Sequence, residues 1–119
     1  MTEAEAAALI VSEGRGEGDG LLASVRDGRD PGPERMGRLV SALAVLYHSL
    51  GGRRELDRKL ASALFTLGSD VPLTISSLAG KGHVWRKGFM ESEVYELLVG
   101  VQSIFEDREF EAEAGETVH

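Results

Sequence analysis

The sequence predicts an all-α fold, a small bundle of four or five helices. Three observations carry the prediction. Apolar residues recur at spacings of three and four in several segments. The breaks between those segments are rich in glycine and proline, the residues that interrupt regular structure. The chain holds no cysteine, so a disulfide framework, a cysteine zinc site and an iron–sulfur cluster are excluded together. A chain of 119 residues with 42% apolar content can bury one core and is too short for two. We therefore read residues 1–119 as a single domain.

Thr2 and Glu5 match the capping box, and the Ala-rich run into Leu9, Ile10 and Val11 predicts a helix over about 3–13. Glycine then stands at every second position from Gly14 to Gly20. This pattern suits neither helix nor strand and marks residues 14–32 as a flexible connector. Leu21, Leu22 and Val25 within it allow one or two helical turns.

Residues 33–107 are the expected helical core. Pro33 suits a first helical position. Met36, Leu39, Val40, Leu43, Leu46, Tyr47 and Leu50 give the strongest periodic signal of the chain, and Gly51-Gly52 ends it, with glycine free to take the left-handed cap. From Ala42 to Tyr47 this helix is apolar nearly all round, which asks for burial on several sides. The next helix is expected over 53–67, with Leu56, Leu60, Ala63, Leu64 and Leu67 as its stripe and Gly68 as its stop. After a turn at 69–72, a short helix is expected to Ala79. Residues 80–88 form a loop or two short strands. The final helix, about 90–107, presents Val94, Leu97, Leu98, Val101, Ile104 and Phe105. Gly100 inside it points to a close helix crossing. Leu39, Leu43, Leu46, Leu60, Leu64, Leu98 and Val101 are the expected core. Residues 108–119 are an acidic tail with little apolar content.

Charge is segregated. Residues 1–34 carry eight acids and three bases, residues 35–88 three acids and nine bases, and residues 89–119 nine acids and one base, within a net charge of −7. An acidic total disfavours general nucleic-acid binding and leaves room for a local basic face, with Arg53, Arg54 and Arg58 as its candidates. The acidic N-terminus lacks the positive charge of a secretory signal, and no apolar run is long enough to span a membrane, so a cytoplasmic location is expected. Arginine outnumbers lysine ten to three and asparagine is absent, as the codon bias of a GC-rich bacterial genome produces.

The chemistry-bearing motifs are few. His48, His83 and His119 are scattered and provide no pair of Glu-x-x-His motifs, so no metal site is expected. Ser49 adjoins His48, but helix neighbours point about 100° apart and do not pair. His48 is placed instead to meet the dipole at a helix C-terminus. Gly80-Lys81-Gly82 lacks the hydroxyl residue and upstream glycine of a phosphate loop. No catalytic residue and no cofactor are expected. Lys81, His83, Trp85, Arg86 and Lys87 remain, a candidate recognition loop that combines the only Trp with three bases. Against that role, Val84, Trp85 and Phe89 can simply plug the end of the bundle.

The expected function is that of a small non-catalytic interaction or adaptor protein, acting through an oligomeric or partner interface. Homodimerisation with Ala42 and Val45 near the two-fold axis would cover the widest apolar face. The alternative is a nucleic-acid-associated regulator in which 53–79 forms a helix-turn-helix and 80–88 a wing. Its would-be recognition helix, Leu73–Ala79, carries none of the Arg, Lys, Asn or Gln that read bases.

Overall fold

Five helices follow one another in the computed structural model, which describes residues 1–15, 18–51 and 55–106. They are α1 (Glu3–Glu13), α2 (Leu21–Arg26), α3 (Pro33–Leu50), α4 (58–80) and α5 (89–105). Among the described residues there is no strand; Gly80 ends α4 and 81–88 is a loop. No described helix is long and apolar enough to cross a membrane.

α1 starts where the capping box predicts. The Glu5 N–H donates to Thr2 Oγ1 at 3.1 Å and the Thr2 N–H donates to Glu5 Oε1 at 2.8 Å. The reciprocal bonds satisfy two N–H groups that a helix start would leave orphaned. Ala6 and Ile10 on its inner face are fully buried. The connector is less free than its glycines suggest. Leu21, Leu22 and Val25 give α2 an apolar face that is buried in the common core. The Arg29 N–H returns to the Ser24 carbonyl and closes that helix at Gly28, whose φ of +73° suits glycine.

α3 occupies 33–50 as expected, with Pro33 in its first turn. It is the central helix, packed against α1 on one side and α5 on another. Those two neighbours cover Leu39, Ala42, Leu43 and Leu46, while Ala44 of the same apolar run is exposed. The cap differs from expectation. Gly51 has φ −53° and ψ 128°, so it continues as extended chain instead of turning left-handed.

α4 departs most from the sequence reading. Its first helical residue is Arg58, with Asp57 accepting from the Leu60 N–H at 3.1 Å as N-cap. The helix then runs unbroken through the expected stop and turn. Thr66–Asp70 forms a wide π turn, and Val71–Gly80 continues as α-helix. Pro72 explains the wide turn. In a regular helix its ring would strike the carbonyl of residue 68 and leave it without a donor, and π geometry relaxes that carbonyl. Gly68 is not a stop. A Cβ there would lie 2.7 Å from Val101 Cγ1, so glycine permits α4 and α5 to touch. The helix-turn-helix expectation thus loses its turn, and the loop at 81–88 supplies no wing.

α5 opens with a π segment, Phe89–Val94, and continues as Tyr95–Phe105. Val94, Leu97, Val101 and Ile104 are buried, Leu98 is half-buried and Phe105 is exposed. Leu97 thus takes the core position expected for Leu98. The expected crossing at Gly100 is present. A Cβ there would stand 2.9 Å from Leu43 Cδ1.

Candidate interaction surface

The loop's Trp85 and Arg86 are engaged within the molecule. Trp85 is buried, and its Nε1–H donates to the Ile75 carbonyl at 3.1 Å. Its ring meets His83 edge-on at 4.4 Å and Phe89 at 5.2 Å. His83 is half-buried against Gly28, where a Cβ would stand 2.9 Å from the imidazole Cε1. Val84 does not join the plug and is exposed.

Arg86 is engaged on both edges. Its Nε and Nη2 donate to Asp30 at 2.6 and 3.1 Å, and its Nη1 and Nη2 donate to Glu93 at 2.7 and 2.8 Å. These bonds, from Glu93 first and Asp30 second, raise the guanidinium pKa, while Arg86 holds the Asp30 carboxyl below its ordinary range. The guanidinium also lies 5.6 Å from the Phe89 ring centroid. Of the five loop candidates, Lys81 and Lys87 alone are exposed.

Arg35 plays a similar part at the other end. It holds both Glu13 oxygens at 2.7 and 2.6 Å, the Ser24 hydroxyl at 3.1 Å and the Asp19 carbonyl at 2.9 Å. One guanidinium thus ties α1, the connector and α2 to α3. Its pKa is raised, chiefly by the hydrogen bonds to Glu13. Sequence reasoning missed both forks, because each joins residues far apart in the chain.

The candidate interface residues separate. Ala42 is 0% exposed and faces the chain's own core, so it has no surface to give to a second copy. Val45 is half-buried and packs on the same core. Arg58 is exposed at the first turn of α4, and Arg53 and Arg54 lie outside the described residues.

A different apolar surface remains open. α3 and α5 run side by side in the same direction, since Pro33 and Met36 share a pocket with Glu93 while Leu43 meets Gly100. Between their outer faces lies a groove of about 400 Å³, walled by Val40, Ala44 and Tyr47 of α3 and by Tyr95 and Val99 of α5. Tyr95 is 61% exposed and Val99 38%. Glu96 stands at one end and His48 at the other. Sequence periodicity could not isolate this face, because the same helices also carry the buried one.

Set against family models, curated proteins and solved structures, the chain matches none. The geometry of its own surfaces is therefore what speaks to function. Among the described residues, no three His, Asp or Glu side chains gather as a metal-ion site.

Proposed function

We propose that this is a non-catalytic helical interaction protein that pairs with a second copy of itself through the α3–α5 groove. The observation that carries the reading is the placement of Glu96 and His48 at opposite ends of that groove. Glu96 lies beside Val40, and His48 follows Val40 by eight helical residues, about 12 Å along the axis. A two-fold axis through the middle of the groove exchanges its ends. His48 of one copy then meets Glu96 of the other, twice over, while Tyr95 and Val99 of each copy fill the apolar wall of its partner. This is the self-complementarity that an isologous interface requires.

Exposed aromatic and aliphatic side chains gathered on one face support the same reading, since monomers seldom leave such patches open. The carboxylates of Glu13, Asp30 and Glu93 are all gripped by arginines, which suits architecture better than acid–base chemistry.

Sedimentation equilibrium is the test. At high micromolar concentration the native chain should weigh twice its 12.8 kDa, and Val99→Asp should weigh as a monomer. Glu96→Lys should weaken the dimer, and Glu96→Lys combined with His48→Glu should restore it. A monomer mass for the native chain, or a dimer indifferent to Val99→Asp, would reject the proposal.

A further inference from the structure

A second cleft, of about 770 Å³, lies where the end of α1 meets the start of α4. Its lining combines three cationic side chains, Arg15, Arg58 and Lys59, with the hydroxyls of Ser62 and Thr66. Val11, Gly14 and Ala63 add a wall of small and apolar groups. The volume is in the range of sites that take small molecules.

Local sequence places these groups together. Arg58, Ser62 and Thr66 are spaced by four, so they align along one side of α4. Arg15 follows Gly14 directly, and Gly14 brings the end of α1 against Ala63 more closely than any residue with a side chain would permit.

Among the described residues, no acid lines the cleft. Glu13, two residues before Arg15, is turned to Arg35 and held through both of its oxygens. Asp57, next to Arg58, accepts from the Leu60 N–H. Glu3, Glu55 and Asp57 line a neighbouring cleft and not this one. Among the described residues, Arg15, Arg58 and Lys59 make no ion pair, whereas Arg29, Arg35 and Arg86 each do. Three uncommitted cations, two hydroxyls and an apolar wall match a doubly charged anion attached to a carbon body. Arginine forks suit phosphate oxygens in particular.

We infer that the α1–α4 cleft binds a small phosphorylated molecule, with Arg15, Arg58 and Lys59 on the phosphate and Val11 and Ala63 beside the organic portion. The site is separate from the α3–α5 groove and stands whether or not the chain pairs.

The test is a heteronuclear NMR titration of the full chain with inorganic pyrophosphate, repeated with a short oligothymidylate. Saturable shifts should concentrate at Arg15, Arg58, Lys59, Ser62 and Thr66. The double variant Arg15→Gln with Arg58→Gln should bind pyrophosphate at least about tenfold more weakly, a loss of about 1.4 kcal/mol. Lys81→Gln with Lys87→Gln should bind as the native chain does. All four positions are exposed, so these variants retain the core. Shifts that fail to saturate, shifts spread equally over Lys81 and Lys87, or undiminished binding by the Arg15 and Arg58 variant would overturn the inference. Oligothymidylate binding at these residues without pyrophosphate binding would overturn it too, in favour of a nucleic-acid surface.

Discussion

The Cβ that Gly14 lacks would lie 2.5 Å from the Cβ of Ala63 and 2.6 Å from its Cα. α1 therefore ends against the backbone of α4, with no side chain between them. A backbone neighbour cannot rotate aside as a flexible side chain can. Gly14→Ala should destabilise the fold by about 3 kcal/mol, at the upper end for an overpacked core. Gly37→Ala is the matched control. It lies inside α3 with open space around it and should stabilise by about 0.5–1 kcal/mol through helix propensity. Urea unfolding of the two variants checks both signs, and equal effects would contradict the close approach at Ala63.

The fork between Arg35 and Glu13 yields a second prediction. Glu13→Ala removes the partner of a half-buried guanidinium and takes two of its hydrogen bonds. The expected cost is about 2 kcal/mol, below that of a fully buried pair because Arg35 keeps access to water. Glu13→Ala combined with Arg35→Met should recover part of that loss, because no buried charge is then stranded. A double-mutant cycle by chemical unfolding measures the coupling, and additive effects would refute it.

Asp30 sets a dependence on pH. Its folded pKa is depressed, first by the Arg86 hydrogen bonds. A carboxyl with a depressed folded pKa contributes stability that is complete above its unfolded value, near 3.8, and lost as pH falls through the folded value. Asp30→Asn should therefore be less stable than the native chain at pH 7, and the gap should narrow as pH falls below about 4. Unfolding free energies at about pH 7 and pH 2.5 test the sign. A gap that widens in acid would show that Asp30 is not held in this way.

Trp85 joins the loop to the far end of α4. Trp85→Ala empties a large buried volume and should destabilise by about 3–5 kcal/mol. Trp85→Phe keeps most of the volume and loses the bond to the Ile75 carbonyl, so about 1–2 kcal/mol is expected. Thermal unfolding followed by circular dichroism should rank the two in that order, and an unchanged Trp85→Ala midpoint would contradict the buried plug.

Local features were readable in advance, and features that depend on distant partners were not. Thr2 and Glu5 stand three residues apart, Pro33 begins its helix by its own geometry, and Gly100 is a small residue in an otherwise bulky stripe. Each of these signals is contained within a few residues, and the structure bears each out. The run of α4 through Gly68 and Pro72 was hidden because both residues ordinarily end helices. Here Gly68 meets Val101 on another helix, and a π turn relieves Pro72. On α5 the apolar stripe holds both Leu97 and Leu98, and spacing alone did not decide between them; Leu97 is the buried one. The candidate loop failed to stand out as structural because the partners of Arg86, Asp30 and Glu93, are 56 and seven residues away.

α1 packs on α3 and on α4. It is made before the helices it packs on, which begin at Pro33 and Arg58. During synthesis Ala6 and Ile10 must therefore wait in water until the middle of the chain has emerged, and the Gly14–Ala63 contact must wait longer still. The order of manufacture and the order of assembly run against each other, and loop closure over some fifty residues precedes the reward. Among helical domains of this size such a chain should fold slowly, and it should expose its first helix to chaperones before its own fourth helix can cover it.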